Sequence, residues 1–264
     1  MSAVKLYAKK SLGQNFLINP RIVEKIVEAA AVSAEDTVLE VGPGTGNLTR
    51  ALAATGARVI AVEKDRRVIE DLQAEFSAAQ IEIIEGDILE FDPAANGLQD
   101  GGYKIVANLP YYITSHFLRT VFEKWPRPSL MILMVQKEVA RRITAKPPRM
   151  NLLALSVQYY ADPKIIAPVR AGNFRPMPNV DSAIISLRPK AERLKPAEEE
   201  MLFKLLRAGF SGKRKQLVNN LAKNFGMMKD DLPKLFAETG LKPDIRAENL
   251  SLSQWMELSK HIKK

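Results

Sequence analysis

Asn108-Leu109-Pro110-Tyr111 places two oxygen acceptors, a rigid bend and an aromatic ring in four consecutive residues. The side-chain carbonyl of Asn108 and the backbone carbonyl of Leu109 can be aimed at the two N–H bonds of an aromatic amine such as N6 of adenine. That amine is a poor nucleophile because its lone pair is delocalised into the ring. Two acceptors would pull the nitrogen toward tetrahedral geometry and free the lone pair for in-line attack. No strong base is required, which suits a chain with two histidines, His116 and His261. Pro110 stiffens the turn, and Tyr111 offers a face on which a flipped purine can stack. Alone, the tetrapeptide also admits the plainer reading of a turn with a buried aromatic, and its neighbours weigh against that.

Three further motifs set the context. Val-Leu-Glu-Val-Gly-Pro-Gly-Thr-Gly-Asn-Leu-Thr, residues 38–49, ends a strand and begins a helix, with Gly42, Gly44 and Gly46 where the backbone turns sharply. A dinucleotide site would carry G-x-G-x-x-G; here the third glycine comes one residue early and Glu40 precedes the turn, the form usual for S-adenosylmethionine enzymes. Glu63 ends the next strand, where a carboxylate can accept both hydroxyls of a ribose. Asp87, in Glu-Gly-Asp-Ile-Leu, ends the one after, placed to accept from the cofactor's adenine amino group. Singly, each has a plain structural reading, the glycines as a turn and Glu63 or Asp87 as a helix N-cap; three consecutive strand ends weigh against it. Phe174, in Asn-Phe-Arg-Pro-Met-Pro, presents a second aromatic on a proline-stiffened loop. It closes the other side of the base pocket, or else it plugs the gap between loop and sheet.

The elements that must position these residues follow from the apolar pattern. From Thr37 onward short apolar runs alternate with amphipathic stretches in a βαβαβ rhythm, continued by strand-like runs in 103–108 and 130–135 around a helical segment near 115–123. Two later runs, 164–169 and 182–188, have no helix between them and predict an antiparallel edge on an otherwise parallel sheet. Residues 152–160 are read as a helix with room to pack on that sheet. After Arg188 a polar, proline-punctuated linker leads to four helical stretches at 197–208, 215–224, 230–238 and 253–263. The expected fold class is α/β, a Rossmann-like sheet over residues 1–190 followed by a small helical domain over 191–264.

With 46% hydrophobic and 26% charged residues in 264, the composition is that of a globular chain. Zero cysteines remove disulfides, thiolate zinc sites, iron–sulfur clusters and thus radical use of S-adenosylmethionine; no metal site is expected. The N-terminal stretch lacks an apolar run of signal-peptide length, and no window of about 18 apolar residues occurs, so a cytoplasmic protein without membrane association is expected. A net charge of +9 favours a polyanionic partner, and the basic excess per residue is larger beyond residue 190. On charge grounds Lys9, Lys10, Arg141, Arg142, Lys213, Arg214 and Lys215 are candidates for RNA phosphate contacts.

These motifs, with KKSLGQNFL, VIAVEKD, VANLPYYITS, VQKEVARRI, VQYY and FRPMPNVDSAIISL, make nearly the whole chain resemble the ribosomal RNA adenine dimethyltransferases. Within them it is similar to the kasugamycin-sensitivity branch. The resemblance implies S-adenosylmethionine as methyl donor, a Rossmann-like methyltransferase sheet, and an RNA- or ribosome-binding helical domain. It also implies dimethylation of two adjacent adenines near the 3′ end of small-subunit RNA in an assembling 30S subunit. A monomer is expected. It further implies that Asn15 and Leu17 line the cofactor with Gly42, Gly44, Glu63, Asp87 and Asn108; from composition alone the segment is a loop leading into a helix at Asn19-Pro20. Residues 145–157, AKPPRMNLLALSV, depart from the family's usual Tyr-Gly-Arg-like stretch, which touches local RNA contacts rather than the chemistry. Two rival readings are a macrolide-resistance enzyme acting on large-subunit RNA and a non-catalytic ribosome-assembly or nucleic-acid-binding factor.

Overall fold

The computed structural model describes residues 14–77, 80–212, 214–225 and 227–262. The chain divides into two compact units, one of Met1–Ala140 with Asp162–Pro189 and the other of Arg141–Ala161 with Lys190–Lys264. The division differs from a single cut at residue 190, because Arg141–Ala161 groups with the helices that follow Lys190.

The first unit begins with β1 (Phe16–Leu17), α1 (Pro20–Ala30), β2 (Thr37–Val41), α2 (Asn47–Ala53), β3 (Arg58–Glu63), α3 (Arg66–Glu75), β4 (Ile81–Glu85) and β5 (Lys104–Asn108). It continues with α4 (Thr114–Lys124), β6 (Leu130–Gln136) and the first part of α5 (Lys137–Ile143), which passes into the second unit at Arg141, and after α6 (Leu152–Tyr160) with β7 (Ala161–Val169), β8 (Phe174–Arg175) and β9 (Ser182–Pro189). Seven strands form one sheet in the order β4-β3-β2-β5-β6-β9-β7. From β4 to β6 every pair is parallel, whereas β9 runs antiparallel to β6. The antiparallel strand therefore lies one place inside the edge, which β7 occupies. β6 is buried at every residue from Leu130 to Val135, the unbroken apolar run expected of a strand covered on both faces.

On one face, α1 and α2 supply Val23, Ile26, Ala30, Leu48 and Leu52 to a core with Val38, Val59, Ala61, Val106, Ile132, Met134 and Ile184. α1 starts where Asn19-Pro20 predicts: the Asn19 side chain accepts from the Arg21 N–H at 3.0 Å and Pro20 takes the first helical position. The strand order reverses between β2 and β5. β2 connects outward to β3, and β5 connects the other way to β6, opening a crevice at the carboxyl ends of the strands, where ligands of open α/β sheets bind.

In the second unit α6 joins α7 (Pro196–Gly209), α8 (Leu217–Phe225), α9 (Leu232–Glu238) and α10 (Leu252–His261). The expectation that residues 152–160 pack on the sheet is corrected: the helix is grouped with α7 and α10. The Tyr159 and Tyr160 hydroxyls donate to Glu199 at 3.0 and 2.6 Å, and both rings pack on Phe203. Two adjacent aromatics with polar tips need a neighbour offering both an apolar face and an acceptor, and α7 offers both. Among the described residues no helix is long and apolar enough to cross a membrane.

Candidate functional site

Gly42, Gly44 and Gly46 all have positive φ (68°, 57° and 75°), a conformation in which an L side chain is strained. Space is also tight at two of them: a Cβ on Gly44 would sit 3.0 Å from the Phe16 ring and one on Gly46 3.0 Å from the Phe76 ring. The Gly44 N–H donates to Glu63 Oε2 at 3.0 Å, while Glu63 Oε1 accepts from the N–H groups of Lys64 (2.9 Å) and Asp65 (2.8 Å). Burial pushes the Glu63 carboxyl above its ordinary range, against the pull of these three donors. Burial likewise pushes Asp87 up, but here the Lys64 ammonium at 2.6 Å from Oδ2 and the Leu89 N–H at 3.0 Å from Oδ1 prevail, and the carboxyl is held below its ordinary range. Glu40, 1% exposed, is raised to about 8 by burial, with the neighbouring Glu63 adding to the effect. Thr49 pulls the other way, yet its Oγ1 and Glu40 Oε2 are both left without a hydrogen bond.

Asn108 is the last residue of β5. Its side-chain NH2 donates to the Asn15 backbone carbonyl at 3.0 Å. A carbonyl can only accept, so this bond fixes which end of the amide faces Asn15 and leaves Oδ1 as the acceptor on the other end. The Leu109 N–H extends the strand ladder to the Met134 carbonyl at 3.2 Å; its side chain is buried, as suits a residue acting through its main-chain oxygen. Pro110 leads into a 3-10 turn over Tyr111–Ile113, and the Tyr111 hydroxyl bonds Ser182 Oγ at 2.7 Å, anchoring the ring to the start of β9.

One cavity is lined by Gly42, Gly44, Glu63, Asp87, Asn108, Leu109, Pro110, Tyr111 and Asn15, together with Gln14, Phe16, Lys64, Ile88 and Tyr112. It thus gathers the glycine turn, both carboxylates and the tetrapeptide. Two expected members are elsewhere. Phe174 is 0% exposed and belongs to the core with Leu17, Val23 and Ile26, so the plug reading replaces the base-pocket reading. Leu17 is in the same core, and Phe16 lines the cavity in its place. β1 pairs antiparallel with β8, and successive side chains of an extended strand point to opposite sides, so 16 and 17 cannot both face the cavity. Sequence reasoning also passed over Gln14, whose Nε2 donates to Asp65 Oδ2 at 2.8 Å, and Lys64, whose partner Asp87 is far away in sequence. Of the phosphate candidates, Arg141, Arg142, Arg214 and Lys215 are exposed, and Lys9, Lys10 and Lys213 lie outside the described residues.

The chain matches, over residues 5–264, the model of a family described as ribosomal RNA adenine dimethylase. The chain belongs to that family. Among the dimethylase's relatives, the ribosomal RNA small subunit methyltransferase A of Dehalococcoides mccartyi is 44% identical over 260 residues, covering 98% of this chain and 89% of its own. The protein of that name in Halothermothrix orenii is 41% identical, over 95% and 86% of the two chains. Of solved structures, the 23S rRNA methyltransferase ErmE matches the dimethylase with a TM-score of 0.77 at 27% identity, over 93% of this chain and 98% of the other. A dimethyladenosine transferase from Plasmodium falciparum gives 0.74 at 28%, over 92% and 95%. The family's methyl donor is S-adenosylmethionine. The dimethylase cavity suits it chemically: Glu63, Asp87 and Asn108 Oδ1 are acceptors, two of them carboxylates, matching a cationic nucleoside whose hydroxyls and amino groups are donors.

Proposed function

We propose that this dimethylase converts adenines of small-subunit ribosomal RNA to N6,N6-dimethyladenine, at two adjacent positions near the 3′ end, acting as a monomer on the assembling subunit in the cytoplasm. The observation that carries the reading is the fixed amide of Asn108, whose oxygen is the end left to accept on a residue that lines the cavity with Gly44, Glu63 and Asp87. S-adenosylmethionine, when bound, supplies an electrophilic methyl group.

The chain's own residues do the rest. Glu63 accepts from ribose hydroxyls and Asp87 from the adenine amino group, each oriented by the backbone N–H bonds it already receives. Asn108 Oδ1 and the Leu109 carbonyl accept from the target amine and direct its lone pair outward. Because these acceptors are set in place by the strand ladder and by Asn15, they cost little reorganisation when charge develops on the nitrogen. The Tyr111 ring, tethered through its hydroxyl, gives the extruded base a surface of fixed orientation. The exposed cations Arg141, Arg142, Arg214 and Lys215 are assigned to RNA phosphates.

Relatives named for the small subunit reach 44% identity, whereas the large-subunit enzyme ErmE stands at 27%; this favours the small-subunit substrate. The test is mass spectrometry of ribosomal RNA from a strain lacking the gene, with and without the wild-type copy. Dimethyladenine should vanish from small-subunit RNA and return with the gene. Loss from large-subunit RNA instead would overturn the substrate assignment, and no change in either RNA would favour a non-catalytic assembly factor.

A further inference from the structure

Tyr112 is 61% exposed, and among the described residues it is the one aromatic side chain in the exposed class. The same ring lines the cavity described above, where an aromatic face is available to stack on a planar ligand. Its neighbour Tyr111 is turned toward β9 by its bond to Ser182. Tyr112 follows it in the same 3-10 turn and lines the cavity together with Lys64, Asp87 and Ile88. Lys64 and Asp87 follow the ends of β3 and β4, whereas β9 lies across β6 on the far side of β5. Tyr111 is thus held toward the β9 side of the crevice, while the exposed Tyr112 ring shares the cavity with Glu63 and Asp87.

We infer that Tyr112 stacks against the purine of the bound methyl donor, so that it sets cofactor affinity while Tyr111 serves the RNA base. This rests on the reading of the cavity as the S-adenosylmethionine site.

The probe is S-adenosylhomocysteine, the demethylated form of the donor, titrated by calorimetry into the full-length protein. Tyr112→Ala should bind it more weakly by about tenfold, the order seen when an aromatic is removed from a stacked base. Tyr112→Phe should bind as wild type does, and affinity for small-subunit RNA without cofactor should be unchanged in both. Tyr112→Trp adds a readout independent of affinity: its extra fluorescence should be quenched when S-adenosylhomocysteine is added. Wild-type affinity for S-adenosylhomocysteine in Tyr112→Ala, with or without a drop in RNA affinity, overturns the inference. The cavity reading itself fails separately, if the wild-type protein does not bind the probe or if Glu63→Ala binds it undiminished.

Discussion

Replacing Glu40 by glutamine should change how the stability of the protein depends on pH. Glu40 is 1% exposed, and burial raises its carboxyl from an ordinary 4.5 to about 8. Between those values the native chain holds a proton that the unfolded chain has released. Raising the pH through the window therefore favours unfolding, by about tenfold in the equilibrium constant per pH unit. The raised carboxylate stabilises nothing when charged; its contribution is a cost that is absent below the lower value and complete above the upper one. Across the window from 4.5 to about 8 the full effect is several kcal/mol, a large part of the about 5–15 kcal/mol that holds a domain together. Glutamine keeps the shape and cannot ionise. Its amide carries a constant penalty if it too lacks a partner, so the informative quantity is the slope against pH and not the absolute stability. Urea unfolding of both proteins at intervals from about pH 5 to about pH 8 measures it. The wild-type protein should lose stability relative to Glu40→Gln as pH rises. Parallel profiles would refute the reasoning by showing that Glu40 is charged throughout or is reached by water.

Phe174→Ala should cost about 3–5 kcal/mol in urea unfolding, as for a fully buried phenylalanine; a loss below about 1 kcal/mol would restore the ring to the base pocket. Gly42→Ala and Gly44→Ala should each lose about 1–2 kcal/mol from positive φ. Only the second also meets the Phe16 ring, so it should lose more stability and more affinity for S-adenosylhomocysteine; equal losses would mean that Phe16 yields freely. Arg141→Glu with Arg142→Glu should weaken RNA binding and flatten its dependence on salt by about 0.7–0.9 in the log–log slope for each phosphate that the variant no longer neutralises. An unchanged slope removes α5 from the RNA surface.

The cavity was legible in the sequence wherever a motif coincided with a strand end. Gly42, Gly44, Glu63, Asp87 and Asn108 each follow or close an apolar run, and in a parallel sheet such ends share one side, so their convergence needed no knowledge of side-chain packing. The Phe16–Leu17 pairing with Phe174–Arg175 was not legible: two-residue strands are too short for a period, and the partners are far apart in the chain. The same gap hid the burial of Phe174 and the exchange of Leu17 for Phe16 on the cavity wall. α6 was recognisable as a helix but not as part of the helical unit, because residues 152–160 are apolar nearly all round and carry no stripe to say which neighbour they face. The exposure of Tyr112 was equally hidden, since consecutive tyrosines in a turn do not announce which is tethered.

The central claim is that Asn108 activates the target amine by accepting from it, and single-turnover methyl transfer by Asn108→Ala tests this most directly. With small-subunit RNA and saturating S-adenosylmethionine, the variant should retain binding of RNA and should bind S-adenosylhomocysteine, while its transfer rate falls by about two to three orders of magnitude, the scale for removing one preorganised group from a transition state. Transfer at close to the wild-type rate, with both ligands bound, would contradict the account.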